Sequence, residues 1–241
     1  MSDALILVLA ALMVGVVKGG LGPMPIALIV PLLSTTMPVA EAVGITLPLL
    51  IVGDWFALPV YWRKWDAPAL RLMLPAAAAG VILGVALLTT LPDDALRRIL
   101  GLFTLLIAAY KLGSDTLSAL TYRPRRWHGW LAGWGSGFGS ALANAGAPPI
   151  TAYLLLQRTA PVTFVATTIV FFLVVNLLKL PIFVATDVID GPRLLRTLWA
   201  LPLIPVGVWL GKELLRRIDQ KKFEWLMLAL LGWAGVSLLV G

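Results

Sequence analysis

The chain has 241 residues, 60% hydrophobic and 13% charged, with a mean hydropathy of +0.94 and a formal net charge of +7. Soluble domains run nearer half apolar and about a quarter charged, so these values exclude an ordinary water-soluble domain and indicate a polytopic membrane protein. The positive charge is read as Lys and Arg in cytoplasmic loops rather than as a nucleic-acid footprint, and the lack of cysteine excludes disulfides, thiol catalysis and thiolate metal sites.

Apolar segments fall at 4–18, 24–35, 40–61, 68–90, 95–113, 128–143, 147–157, 161–186, 194–211 and 222–240. The first lacks a basic start and a small-residue cleavage site, and is read as retained structure rather than a signal peptide. Two pairs are short and broken by Gly and Pro: 4–18 with 24–35, and 128–143 with 147–157. The remaining segments are long enough to span a bilayer.

The two halves of the chain repeat. Pro25-Ile26 matches Pro149-Ile150 at an offset of 124, and Pro38-Val39 matches Pro161-Val162 at 123. "PAAAAGVILG" (75–84) matches "PLIPVGVWLG" (202–211) at 127. Apolar matches alone are shared by any two membrane helices; aligned Pro and Gly argue for duplication. The expected fold is an all-α polytopic membrane protein of two inverted repeats, 1–122 and 123–241. Each repeat is expected to be a broken short-helix pair, or hairpin, plus three transmembrane helices.

The charge distribution supports that plan. Lys18 and Lys179 are set apart as lysines of apolar segments, and the other Lys and Arg are counted with the connecting regions between or at the ends of those segments. If each short pair enters and leaves on one side, thirteen of these fall on one side of the membrane and four (Arg97, Arg98, Arg193, Arg196) on the other. That is the positive-inside bias. A full crossing by each short pair would give nine against eight and specify no orientation. Two continuous spans in place of each hairpin give the same parity. An odd number of spans per half inverts the second repeat, the plan common in secondary transporters. Trp62, Trp65, Trp127 and Trp130 flank the basic loops as an interfacial belt would.

"KGGLGPMP" and "NAGAPP" (144–149) are the two breaks, one per repeat. Non-helical backbone at membrane depth is tolerated only where it is buried in protein or lines a wet cavity. Each break precedes a short helix with Pro in its first turn. Two such helix N-termini aimed inward would favour an anion. Gly80, Gly84, Gly207 and Gly211 are read instead as close-packing positions.

Ionisable residues at membrane depth are functional candidates. Lys18 at the first break and Lys179 in "NLLKLP" would supply charge to an anion, the alternative being snorkelling to an interface. Asp54 would balance a lysine or carry a coupling proton, the alternative being a helix–helix hydrogen bond. Asn144 and Asn176 stand as ligands or interhelical glue. Glu41 is assigned to the first turn of its helix. The single histidine, His128, is read as interfacial. "GWGSGFGSA" (133–141) resembles a nucleotide loop only superficially, since no strand flanks it and no Walker lysine follows. The candidate substrate-binding residues are therefore Lys18, Gly19, Gly20, Gly22, Asn144, Ala145, Gly146 and Lys179, with Asp54 for coupling. No catalytic residue, metal site or cofactor is expected.

"GVVKGGLGPMPIALIVPLLS", "LPLLIVGDWFALPVYWRKWD" and "LPAAAAGVILG" resemble the sulfite exporter TauE/SafE family of membrane permeases. "NAGAPPITAYLL" is similar to the second-half motif of one branch, usually Asn-Ala-Gly-Gly-Pro-Pro, with Ala147 at or beside the second Gly. The resemblance covers nearly the whole chain. It implies transport of sulfite, sulfonates or related small sulfur-containing or organic anions. The expectation is a multi-pass permease of the inner (cytoplasmic) membrane, with an anion channel, or less readily an intramembrane enzyme, as alternatives. Its partners would be the anion, the lipid bilayer and a coupling proton or ion. A homo-oligomer stays open and no nucleic acid is expected.

Overall fold

The computed structural model describes residues 3–16, 26–118, 125–217 and 220–240, and every regular element among them is a helix. In chain order these are α1 (Asp3–Val16), α2 (Ile26–Leu33), α3 (Val39–Ala57), α4 (Ala67–Thr90), α5 (Asp93–Ser118), α6 (Arg126–Ala143), α7 (Ala147–Leu156), α8 (Pro161–Ala185), α9 (Gly191–Leu198), α10 (Leu203–Arg217) and α11 (Gln220–Val240). Three of them, α3, α4 and α8, are long and apolar enough to cross a membrane.

Local chemistry sets most of the boundaries. Asp66 caps α4 by accepting the Ala69 N–H at 3.0 Å, and α4 ends at an extended Leu91 held before Pro92. Asp93 and Asp94 open α5, and Glu41 lies in the first turn of α3, where acids meet the positive dipole end. Pro161 begins α8 and Pro148 lies in the first turn of α7. The expected single segment 194–211 is corrected to two helices, α9 and α10, separated by a turn at 199–202. Pro202 supplies the reason. It has no N–H for a continuing helix and disfavours helical backbone at Leu201.

The helices pair through small residues. α4 lies along α6, where a side chain at Gly80, Gly133 or Gly137 would run into backbone of the facing helix and one at Gly84 would meet Ala141. α1 lies along α10: a Cβ at Gly207 would sit 2.6 Å from the Leu12 carbonyl oxygen and 2.9 Å from the Gly15 Cα. α5 and α11 approach at Gly101, where a Cβ would lie 2.7 Å from the Gly235 carbonyl oxygen. α3 packs against α8. With little hydrophobic force between helices in lipid, such contacts rest on dispersion, which requires close approach. The packing reading of Gly80, Gly84 and Gly207 therefore holds.

One core cluster, including Phe171, Phe183, Met73, Leu154, Leu47 and Leu100, runs through α2 to α8 and α11; a second, including Val14, Leu49 and Ile204, lies between α1, α3 and α10. The outside is apolar as well. Ile82, Trp209 and Trp233 are 62%, 65% and 58% exposed. A soluble monomer rarely carries apolar surface on this scale; hydrocarbon accepts it.

The α5–α11 contact makes a signed prediction. Gly101→Ala places a methyl against the Gly235 carbonyl and should lower stability by about 1–3 kcal/mol. Gly232→Ala, on the same helix as Gly235 but with open space around it, should raise stability by up to about 1 kcal/mol through helix propensity. Thermal melts of the purified protein in detergent read both, and the reverse order would show that the two helices do not meet there.

Candidate functional site

The second break is built from α6 and α7. On α6, Ser136, Ser140 and Asn144 follow at intervals of four, so they share one face. α6 ends where Asn144 takes left-handed backbone, φ 49° and ψ 24°. Asn is among the few non-glycine residues that tolerate this conformation. The Ala145 N–H turns back to the Gly139 carbonyl at 3.1 Å. α7 then folds against α6 so closely that any side chain at Gly146 would strike the Ser136 carbonyl. That position has to be glycine for the break to close.

The start of α7 has fewer donors than a helix N-terminus ordinarily offers. Pro148 and Pro149 have no N–H, and the Ile150 N–H is taken by Ser136 Oγ at 3.0 Å. The amides of Gly146 and Ala147 are the ones that remain at this end.

Lys179, from the last third of α8, reaches into the break with no exposed surface. Its Nζ donates to the Ser140 carbonyl oxygen at 2.9 Å, to Ser140 Oγ at 2.9 Å and to Asn144 Oδ1 at 2.6 Å. A cation at the C-terminal end of α6 also complements the helix dipole. The Asn144 amide continues the network into α3, donating from Nδ2 to Thr46 Oγ1 at 2.6 Å and to the Val43 carbonyl at 3.2 Å. Its orientation follows from its partners: an ammonium only donates and a backbone carbonyl only accepts, so Oδ1 faces Lys179 and Nδ2 faces Val43. Snorkelling does not describe Lys179, whose whole side chain is enclosed.

Asp54 of α3 is 1% exposed and accepts from Asn176 Nδ2 on α8 at 3.2 Å, with Asn176 itself 3% exposed. Asn176 and Lys179 are three residues apart and share a face of α8. The α3–α8 seam thus holds an acid and a lysine within one buried polar track, and the helix–helix hydrogen bond anticipated for Asp54 is present. Lys18, Gly19, Gly20 and Gly22, the candidates of the first break, lie outside the described residues. His128 stacks on Trp127 with ring centres 3.7 Å apart, and its Nδ1 accepts the Arg125 N–H at the start of α6. Trp127, Trp130 and Trp62 are exposed, as an interfacial belt requires.

The residues that sequence reasoning missed are Ser136, Ser140 and Thr46. The interval of four that links Ser136, Ser140 and Asn144 was the available signal. Ser136→Ala should leave the Ile150 N–H without its partner, at a cost of about 1–3 kcal/mol. A detergent melt should show the midpoint falling by several degrees, at about 2–4 °C per kcal/mol for a chain of this size; an unchanged midpoint would mean that this bond does not hold α7 in place.

Comparison with known proteins adds an independent finding. Neither curated proteins nor solved structures gave a match. The family model described as Sulfite exporter TauE/SafE matches residues 7–238, a span that takes in both breaks, Asp54 and Lys179. With apolar helices of membrane length and a match over nearly all its residues, the chain belongs to the sulfite exporter TauE/SafE family of membrane transport proteins.

Proposed function

We propose that the protein is a secondary transporter that moves small anions, such as sulfite, sulfonates or related sulfur-containing or organic anions, across the cytoplasmic membrane. The observation that carries this reading is Lys179: a lysine without exposed surface, placed at a helix break inside a membrane-integral fold. Intramembrane cations of this kind mark substrate paths, and the family description supplies the substrate class. Lys18, Gly19, Gly20 and Gly22 of the first break and Asn144, Ala145, Gly146 and Lys179 of the second form the proposed site. Asp54 is the proposed coupling group.

The pairing of helices supports the inverted-repeat plan. At the repeat offsets, α1 corresponds to α6 and α4 to α10. The α1–α10 contact is then the counterpart of the α6–α4 contact, while α3 pairs with its own counterpart α8 and α5 with α11. A two-fold relation between halves 1–122 and 123–241 produces this exchange. Asp54 and Asn176, at an offset of 122, meet across it. Under this plan both termini face the periplasm, and the segments 62–71 and 111–128 face the cytoplasm.

Two measurements test the reading. Proteoliposomes holding the purified chain should take up labelled sulfite with saturation and with acceleration by sulfite preloaded inside; conductance far above carrier turnover would make it a channel. Asp54→Asn preserves shape and a hydrogen-bonding group, so it should keep expression and sulfite binding but lose uptake driven by a pH gradient. Unchanged pH dependence would leave Asp54 a structural group. Orientation is read by single cysteines in this cysteine-free chain. A cysteine placed within 114–122 should resist an impermeant reagent in intact cells, and one near residue 2 should react; the opposite result overturns the topology.

A further inference from the structure

The ammonium of Lys179 has three N–H donors, and in this conformation each has an acceptor within the protein: the Ser140 carbonyl, Ser140 Oγ and Asn144 Oδ1. An anion can be captured by Lys179 only if one of them yields. The Ser140 carbonyl is fixed in the backbone of α6. The Ser140 hydroxyl belongs to the same residue and ties Lys179 to α6 alone. Asn144 differs from both. It sits at the end of α6, where the chain turns, and the other end of its amide holds α3 through Thr46 Oγ1 and the Val43 carbonyl. One side chain therefore joins α6, α8 and α3.

We propose that Asn144 serves the site as a latch that the anion displaces rather than as a ligand to it: an anionic oxygen takes the place of Asn144 Oδ1 on Lys179, and the freed amide gives up its bonds to α3. The proposal rests on Lys179 being an anion ligand. Its consequence is a defined mechanical link. With the latch closed, the second break is tied to α3; with anion bound, the tie is released and α3 is free to shift against α6. By thermodynamic reciprocity, whatever strengthens the Asn144–α3 contact must weaken anion binding, and whatever weakens it must strengthen binding. The latched conformation lowers apparent affinity by the fraction of molecules it sequesters.

The sign of this prediction separates a latch from a ligand or a structural brace. Asn144→Gly removes the amide while keeping a residue that accepts φ near 49°. Sulfite binding to the full-length protein in nanodiscs, measured by titration calorimetry, should tighten by about tenfold, the scale set by losing one competing hydrogen bond to a charged group. Thr46→Val keeps Asn144 on Lys179 but removes one anchor on α3, and should tighten binding by a smaller factor. It also carries the test should Asn144→Gly not fold. Lys179→Gln should abolish binding. If the wild type binds sulfite and Lys179→Gln does not weaken it, the reading beneath the latch fails. If Lys179→Gln abolishes binding while the latch variants leave it unchanged or weaken it, Asn144 is a ligand or a brace and the latch is overturned. Absence of sulfite binding in all four proteins overturns both.

Discussion

An enclosed ammonium must find its acceptors inside the protein, because an ionised amine taken from water into a medium of low polarity loses more solvation than any single hydrogen bond returns. Lys179 meets that requirement with three acceptors from two residues of one helix end. Much of the second half follows from it. α6 has to stop where its last carbonyls and negative dipole end can face the cation. The chain has to turn at a residue that tolerates left-handed backbone, and Asn144 serves both as that turn and as an acceptor. α7 must then begin at once, which only Gly146 allows beside the Ser136 carbonyl. The helix break, its cap and the tight α6–α7 fold are one arrangement around one charge.

The frame around that arrangement obeys a different constraint. α6 presents two ridges. Gly129, Gly133 and Gly137 form one, and α4 approaches it at Met73 and Ala77 until backbone meets backbone. Ser136, Ser140 and Asn144 form the other and face the break. A helix that must be smooth on one side and polar on the next, in an apolar setting, has few residue types available. That is why "GWGSGFGSALAN" alternates Gly and Ser so densely. The same string drew comparison with a nucleotide loop, yet its glycines serve packing and its serines hold a neighbouring helix and a lysine.

Much of the fold was legible because Pro, Gly and acidic caps act locally. The ends of α4, α5, α7 and α8 fall within a few residues of the apolar segments read from the chain. The division of 194–211 into α9 and α10 was legible too, since Pro202 interrupts the run; hydrophobicity averaged over the segment hid it. The site was only half legible. Lys179, Asp54 and Asn144 stand out as polar groups in apolar surroundings, and the structure buries all three. Ser140 and Thr46 did not stand out, because small hydroxyl residues are common in membrane helices as packing and back-bonding groups. Thr46 does bond back to the Ala42 carbonyl at 2.8 Å; its second role as an anchor for Asn144 depends on a residue 98 positions away in the chain. No local pattern encodes that.

The point where the halves meet has its own logic. "GDWFALP" in the first half aligns with "VNLLKLP" in the second at an offset of 122, placing Asp54 opposite Asn176 and Ala57 opposite Lys179. On the repeat reading proposed above, Asp54 and Asn176 are two-fold partners that touch each other, 3.2 Å apart. Strict symmetry would put two carboxylates there. Two like charges at that separation repel by roughly 5 kcal/mol at an effective dielectric of about 20, and the pair would have to share a proton. An Asp–Asn pair keeps the hydrogen bond and removes the clash. That pair leaves one buried acid on α3, and Lys179, one turn along from Asn176 on α8, is a buried base of opposite charge. On the proposed repeat reading, the acid and the lysine belong to different halves of a two-fold frame, so exchanging the conformations of the two halves would not return the same energy. On that reading, two states related by the exchange would be unequal in energy even without a ligand.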